Sequence, residues 1–231
     1  MCNVFECMVE TIPIFIGFDS REAVAYHVCC QSIIDRSSMP VEFHPLHLGL
    51  FKDYTETHKD GSNAFIYSRF LVPWLMGWRG RAIFMDGDMI VRDDIAKLWV
   101  EQDLYKAVQV VKHDYATKYT VKYLGNRNEN YPRKNWSSVI LWNCNHFRNR
   151  VLIPEYVEKA TGSHLHQFKW LDDKDIGMLP KTWNHLVLEE EDREASLNHY
   201  TIGLPCFPDY NDGSNKTSEW WGEYDKAVRP L

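Results

Sequence analysis

Asp86-Gly87-Asp88 offers the chain's most promising chemistry: two carboxylates one residue apart, directly after the apolar run Arg81–Met85. If that run is a strand, both acids leave the C-terminal edge of a sheet, where open α/β sheets bind ligands. Gly87 permits a positive φ and close backbone approach. Hard oxygen ligands so arranged suit Mg²⁺ or Mn²⁺, which combine one or two carboxylates with phosphate oxygens. The same tripeptide also occurs as a solvated acidic turn, so its context decides.

The elements that would position it follow from patterning. Residues 12–18 read as a buried strand ending on Asp19, and Ser20 opens a helix to about Asp35. Residues 41–48 alternate like a second strand, with Pro45 favouring an edge. Apolar spacing over Asn63–Trp78 predicts a helix kinked at Pro73. Short strands are expected at 81–85, 89–91, 106–111, 138–142 and 196–202. Helices are expected near 93–98, 154–161 and 218–228, with a polar, Asn-rich loop at 126–135. Strand, helix, strand at the start is the opening of a nucleotide-binding α/β unit.

The ordered run Phe65–Leu98 resembles glycosyltransferases of the GT-A fold, above all the family 8 type that includes glycogenin and bacterial α-galactosyltransferases. Tyr67-Ser68-Arg69, Phe84-Met85, Asp86-Gly87-Asp88, Ile90-Val91, Arg92-Asp93 and Ile95 match that family's pattern in order. Asp19 looks like its base-contacting acid. Residues 135–143, with Ser137, resemble the strand lining the sugar site, and Asp172–Asp175 resembles its Asp-Gln-Asp segment. Residues 199–205, His199 to Pro205 through Gly203, resemble the late motif whose His completes the metal site. Three positions depart: Lys174 stands where the family has Gln, and Trp136 where many members have Asn. Gly203-Leu204-Pro205-Cys206 replaces the Lys-Pro-Trp ending, so no diphosphate-binding Lys comes from there.

The resemblance implies an α/β, Rossmann-like GT-A domain spanning 1–231, its mixed, mostly parallel central sheet flanked by helices. It implies transfer of a sugar, with retention, from a nucleotide-diphosphate donor (a UDP-sugar) to a glycan, lipid or protein acceptor. Mn²⁺ or Mg²⁺ would sit on Asp86, Asp88 and His199, although a lone His is also commonly structural. Arg69 would add a positive fork near the donor sugar or phosphate. Asp173, and Lys174 beside it, would face the sugar; four charges in a row also read as a solvated turn. Tyr67 would stack on the base or pack in the helix core, and Gly87, Ser137 and Gly203 would line the donor. Two other classes stay open, a haloacid-dehalogenase-type phosphatase and a sugar-nucleotide- or glycan-binding module without turnover.

Composition narrows the partners. A net charge of -6 without a Lys/Arg cluster gives nucleic acid no footprint. No apolar run approaches the roughly 18 residues of a membrane span. The N-terminus lacks the basic and apolar regions of a secretory signal, and Cys2, Cys7, Cys29, Cys30, Cys144 and Cys206 show no zinc spacing, so reduced thiols in a cytoplasmic protein are expected.

Overall fold

The computed structural model describes residues 10–229; Cys2, Cys7 and the N-terminal segment read above lie outside the described residues. Nearly all of Ile12–Gly17 is buried, as in a strand covered on both faces; this is β1. Asp19 caps a short 3-10 turn leading into α1 (Ala23–Ile34). β2 (Val41–Leu46) pairs with β1 alone, and Pro45 is tolerated because an edge strand needs no further N–H donor.

Asn63–Trp78 is not the single kinked helix that its apolar spacing predicts. Turns over 63–67 lead into a 3-10 stretch, Ser68–Leu71, and then one turn of α-helix, α2 (Val72–Leu75). Pro73 has no N–H to bond back to the Arg69 carbonyl, and Gly77 and Trp78 end the helix at φ 60° and 53°.

β3 (Arg81–Met85), β4 (Met89–Val91) and α3 (Ile95–Trp99) follow, α3 being capped by Asp94. Next come β5 (Val108–Val110), a small hairpin of β6 (Val121–Lys122) and β7 (Asn126–Arg127), and β8 (Val139–Asn143). The hairpin occupies the start of the expected Asn-rich loop. α4 (Pro154–Lys159) and α5 (Gly162–His166) precede β9 (Ile176–Met178), β10 (His185–Leu186) and β11 (Leu197–His199). The last helix, α6 (Asn215–Val228), begins earlier than its periodicity predicts because Ser214 caps it at Thr217 N–H.

Six strands form the main sheet in the order β2-β1-β3-β8-β5-β9, and only β8 runs antiparallel to its neighbours. This is the mixed, mostly parallel sheet expected. Alternation sends Phe15, Phe84, Ile140 and Trp142 into the core on one face. Ile14, Ile16, Ile83, Met85, Val139 and Leu141 enter the core on the other. A third apolar cluster seals α1 against α6 through Val28 and Trp220.

Strand direction places the chemistry. β1 and β3 end at the edge where the antiparallel β8 begins, so Asp19, Asp86 and Ser137 gather there. A second, three-stranded sheet, β10-β11-β4, lies beyond that edge, and its antiparallel register sets His199 opposite Met89.

Candidate active site

Asp86 and Asp88 leave β3 on either side of Gly87. Contrary to expectation, Gly87 does not take a positive φ; positive values among the described glycines fall at 77, 80, 125 and 213. Space is what demands glycine here, since an added Cβ would stand 2.6 Å from the Gly17 carbonyl oxygen at the end of β1. The β4–β11 pairing then delivers His199, whose Nε2 lies 3.3 Å from Asp88 Oδ1 and 3.8 Å from Asp86 Oδ2.

The imidazole is held in one orientation. Asn184 donates its amide hydrogens to Ser138 Oγ (2.8 Å) and the Asn135 carbonyl (3.3 Å), which leaves its oxygen facing His199 Nδ1 at 3.0 Å. An amide oxygen only accepts, so Nδ1 carries a proton and Nε2 is the nitrogen turned toward the two carboxylates, free to offer its lone pair to a cation. Among the described residues, Asp88 Oδ1 is buried and has no hydrogen-bond partner. One ligand atom from each of Asp86, Asp88 and His199 falls within 4.8 Å of the others. Three converging ligand atoms of this kind fit a divalent cation.

Arg69, buried behind this group, sets the local field. Its Nη1 stands 2.8 Å from Asp86 Oδ1, while its N–H groups donate to the carbonyls of Ser137 (2.8 Å) and Ile66 (2.9 Å). Its guanidinium also lies over the Phe84 ring at 4.8 Å. Burial raises the Asp86 carboxyl to about 6, against the pull of Arg69. Burial is the largest influence on Asp88 and pushes it the same way, but His199, Lys122 and a backbone N–H together outweigh it, and Asp88 sits below the usual carboxylate range.

The other expected residues divide. Ser137 lines the cavity of about 60 Å³ at Asp86 and Asp88, and its hydroxyl bonds His166 Nδ1 at 2.7 Å. Asp19 accepts from Arg21 and from the Ala64 N–H (2.9 Å), so it pins the loop before Arg69 to the end of β1. Tyr67 lies one step out, in a cleft of about 610 Å³ that shares lining with the small cavity. It stacks on His58 at 3.8 Å and donates to Asp60 Oδ1.

Asp173, Lys174 and Gly203 are not brought to the carboxylates. Asp173 and Lys174 are exposed on the turn that enters β9, a strand parallel to β3, so they stand at the opposite end of the sheet from Asp86. Asp173 pairs with the guanidinium of Arg133, which reaches it from the loop before Ser137. Gly203 packs under Tyr210, whose ring lies 2.3 Å from where a Cβ would be.

Sequence reasoning missed Lys122, His166 and the orienting role of Asn184. Lys122 and His166 line both the small cavity and the larger cleft. Burial, with Arg69 and Lys122 nearby, drives the His166 imidazole well below its usual range, so it is neutral in use. An Asn184→Ala protein is expected to bind Mn²⁺ about 10- to 100-fold more weakly, because His199 loses the acceptor that fixes its tautomer. Calorimetric titration with Mn²⁺ checks this, and unchanged affinity would remove Asn184 from that role.

No protein-family profile matches the chain. Among solved structures it is similar to the galactosyltransferase LgtC, determined with donor and acceptor sugar analogues (TM-score 0.59, 12% identity, 95% of this chain and 98% of that one). It is also similar to the glycosyltransferase GlyE of Streptococcus pneumoniae (TM-score 0.61, 12% identity, 95% and 61%). A third likeness is mouse xyloside xylosyltransferase 1 (TM-score 0.56, 11% identity, 85% and 100%). The fold is therefore GT-A, with the Asp-x-Asp group in place. By sequence the chain belongs to the family of Protein CDI of Arabidopsis thaliana, to which it is 40% identical over 223 residues, covering 91% of this chain and 85% of that protein.

Proposed function

We propose that this chain is a single-domain, metal-dependent glycosyltransferase that moves a sugar from a nucleoside-diphosphate donor, a UDP-sugar, to a glycan, lipid or protein acceptor. The observation that carries this reading is the convergence of Asp86, Asp88 and His199 at the C-terminal edge of β3 in a GT-A fold. These three side chains hold the cation. When bound, it supplies Lewis-acid stabilisation for charge on the leaving diphosphate.

The chain's own residues do the rest. Arg69 keeps Asp86 ionised at neutral pH and holds the Ser137 backbone against the cavity wall. Asn184 aims His199. Asp19 fixes the loop that carries Ser62 and Asn63 to the cavity rim. The cleft of about 610 Å³ beyond the small cavity has room for sugar and acceptor together. In the retaining course we propose, the bond from the anomeric carbon to the diphosphate oxygen breaks with its electron pair going to oxygen. The acceptor oxygen bonds to the same face, and its proton passes to the departing phosphate. No protein acid is needed, since the diphosphate leaves as an anion.

The phosphatase alternative loses ground because its Asp-x-Asp belongs on the first strand, whereas here it ends the third in chain order. No helix among the described residues is long and apolar enough to cross a membrane.

A thermal-shift screen of UDP- and GDP-sugars with Mn²⁺ tests the reading. A preferred donor at about 100 times its Kd is expected to add ~2.7 kcal/mol of stability. That corresponds to a rise of roughly 5–10 °C for a chain of this size. If no nucleotide sugar shifts the melt with Mn²⁺ present, the reading is wrong. Binding without transfer or hydrolysis would select the non-catalytic module instead.

A further inference from the structure

We infer that Lys122 is the ammonium that contacts the donor's diphosphate, a role that rests on the glycosyltransferase reading and falls to the β6–β7 hairpin rather than to the late motif. Lys122 lines the small cavity with Asp86, Asp88, Arg69 and His199, and it also lines the larger cleft, so it stands where the two meet. A leaving group bridging the cation and the sugar has to pass that junction.

The hairpin is built to hold it there. Lys122 pairs with Asn126 across the turn, and the next residue, Tyr123, is tied down three ways. Its N–H donates to the Ile202 carbonyl (2.8 Å), its ring stacks on Phe207, and its hydroxyl donates to Glu22 Oε1 (3.3 Å). The ammonium itself is poorly satisfied. Among the described residues its hydrogen-bond partner is Ser62 Oγ, at a long 3.4 Å. An ammonium has three donors, and a half-buried one that uses so little of its capacity is placed for something absent from the chain.

Charge points the same way. The cavity lining brings two carboxylates and two cations, Arg69 and Lys122, which cancel. A divalent cation and the two negative charges of a nucleotide-sugar diphosphate cancel as well, so the loaded site stays neutral only with Lys122 present. When the sugar departs, the diphosphate gains a further negative charge beside this ammonium. Burial lowers the Lys122 amine, against the raising pull of Asp88 and Asp86. The alternative is that Lys122 merely offsets the two acids within the fold.

Calorimetry on Lys122→Met separates these. With Mn²⁺ alone, affinity is expected to hold or rise, because a repelling charge has left the cation site. With UDP or GDP in saturating Mn²⁺, affinity is expected to fall about 10- to 100-fold, the scale of a hydrogen bond to a charged group. Lys122→Arg should recover most of that loss. If the Met variant does not fold, Lys122→Gln serves in the same comparison. Unchanged diphosphate binding overturns the assignment, as does a loss of Mn²⁺ affinity equal to the loss of diphosphate affinity, the mark of a structural role. Wild-type protein that binds no nucleoside diphosphate with Mn²⁺ fails at an earlier step and overturns the glycosyltransferase reading with it.

Discussion

An Asp88→Asn protein is expected to lose about three orders of magnitude of metal-dependent transfer or donor hydrolysis while keeping its fold. Lewis-acid stabilisation of a leaving diphosphate is worth several kcal/mol, and each 1.36 kcal/mol is tenfold in rate. Asp88 is the better position for the test than Asp86, because it carries no salt bridge to Arg69 and its main contact is His199 Nε2. The amide keeps shape and volume but offers one neutral oxygen where the cation needs charge. A second readout does not involve turnover: the Mn²⁺- and nucleotide-dependent rise in melting temperature should vanish, while the melt in chelator moves little. Donor-induced stabilisation that survives the substitution unchanged would remove Asp88 from the metal site and, with it, the observation on which the function rests.

Asp86, Asp88 and Arg69 were legible because their neighbourhood is local: a short apolar strand, a glycine and an arginine a fixed distance upstream. His199 was legible through its motif, but what sets it beside Asp88 is the antiparallel register of β4 and β11, a long-range pairing that no local pattern carries. Lys122 left no signal, since it sits on a two-residue strand with no periodicity. Asp173 and Lys174 show the converse. Their motif was readable, but the direction of β9 decides which end of the sheet they occupy, and direction is a property of topology. The segment 63–78 failed for a narrower reason: apolar residues three and four apart fit a 3-10 stretch and a broken turn as well as a continuous helix. Of the two reasons for a glycine at 87, the close backbone approach holds and the positive φ does not, because the Gly17 carbonyl oxygen that crowds it lies on another strand.

Arg69→Met is expected to be the most destabilising single change at the site, costing about 3–5 kcal/mol, or a melting temperature lower by roughly 10 °C. Methionine refills the space against Phe84 and Phe65, so the loss is electrostatic: the Asp86 carboxylate keeps its burial and loses its counter-ion, and the Ser137 and Ile66 carbonyls lose a donor. The pH dependence gives the sign. Asp86 already titrates at about 6, above its ordinary 3.8, so its ionised form is less favourable in the folded chain than in the unfolded one. The folded state then binds more protons, and stability contributed by this group falls as pH rises through that range. Without Arg69 the carboxyl moves higher still. The deficit of the variant, measured in chelator, should therefore be greatest at high pH, where Asp86 is ionised in both proteins, and shrink as the pH falls toward about 6, below which both hold the Asp86 proton. Adding Asp86→Asn to Arg69→Met should recover part of the loss, since the amide removes the stranded charge. A deficit that stays constant from about pH 8 to 5, or a double variant weaker by the simple sum of both changes, would show that Arg69 serves the fold through packing and its carbonyl contacts, and not through Asp86.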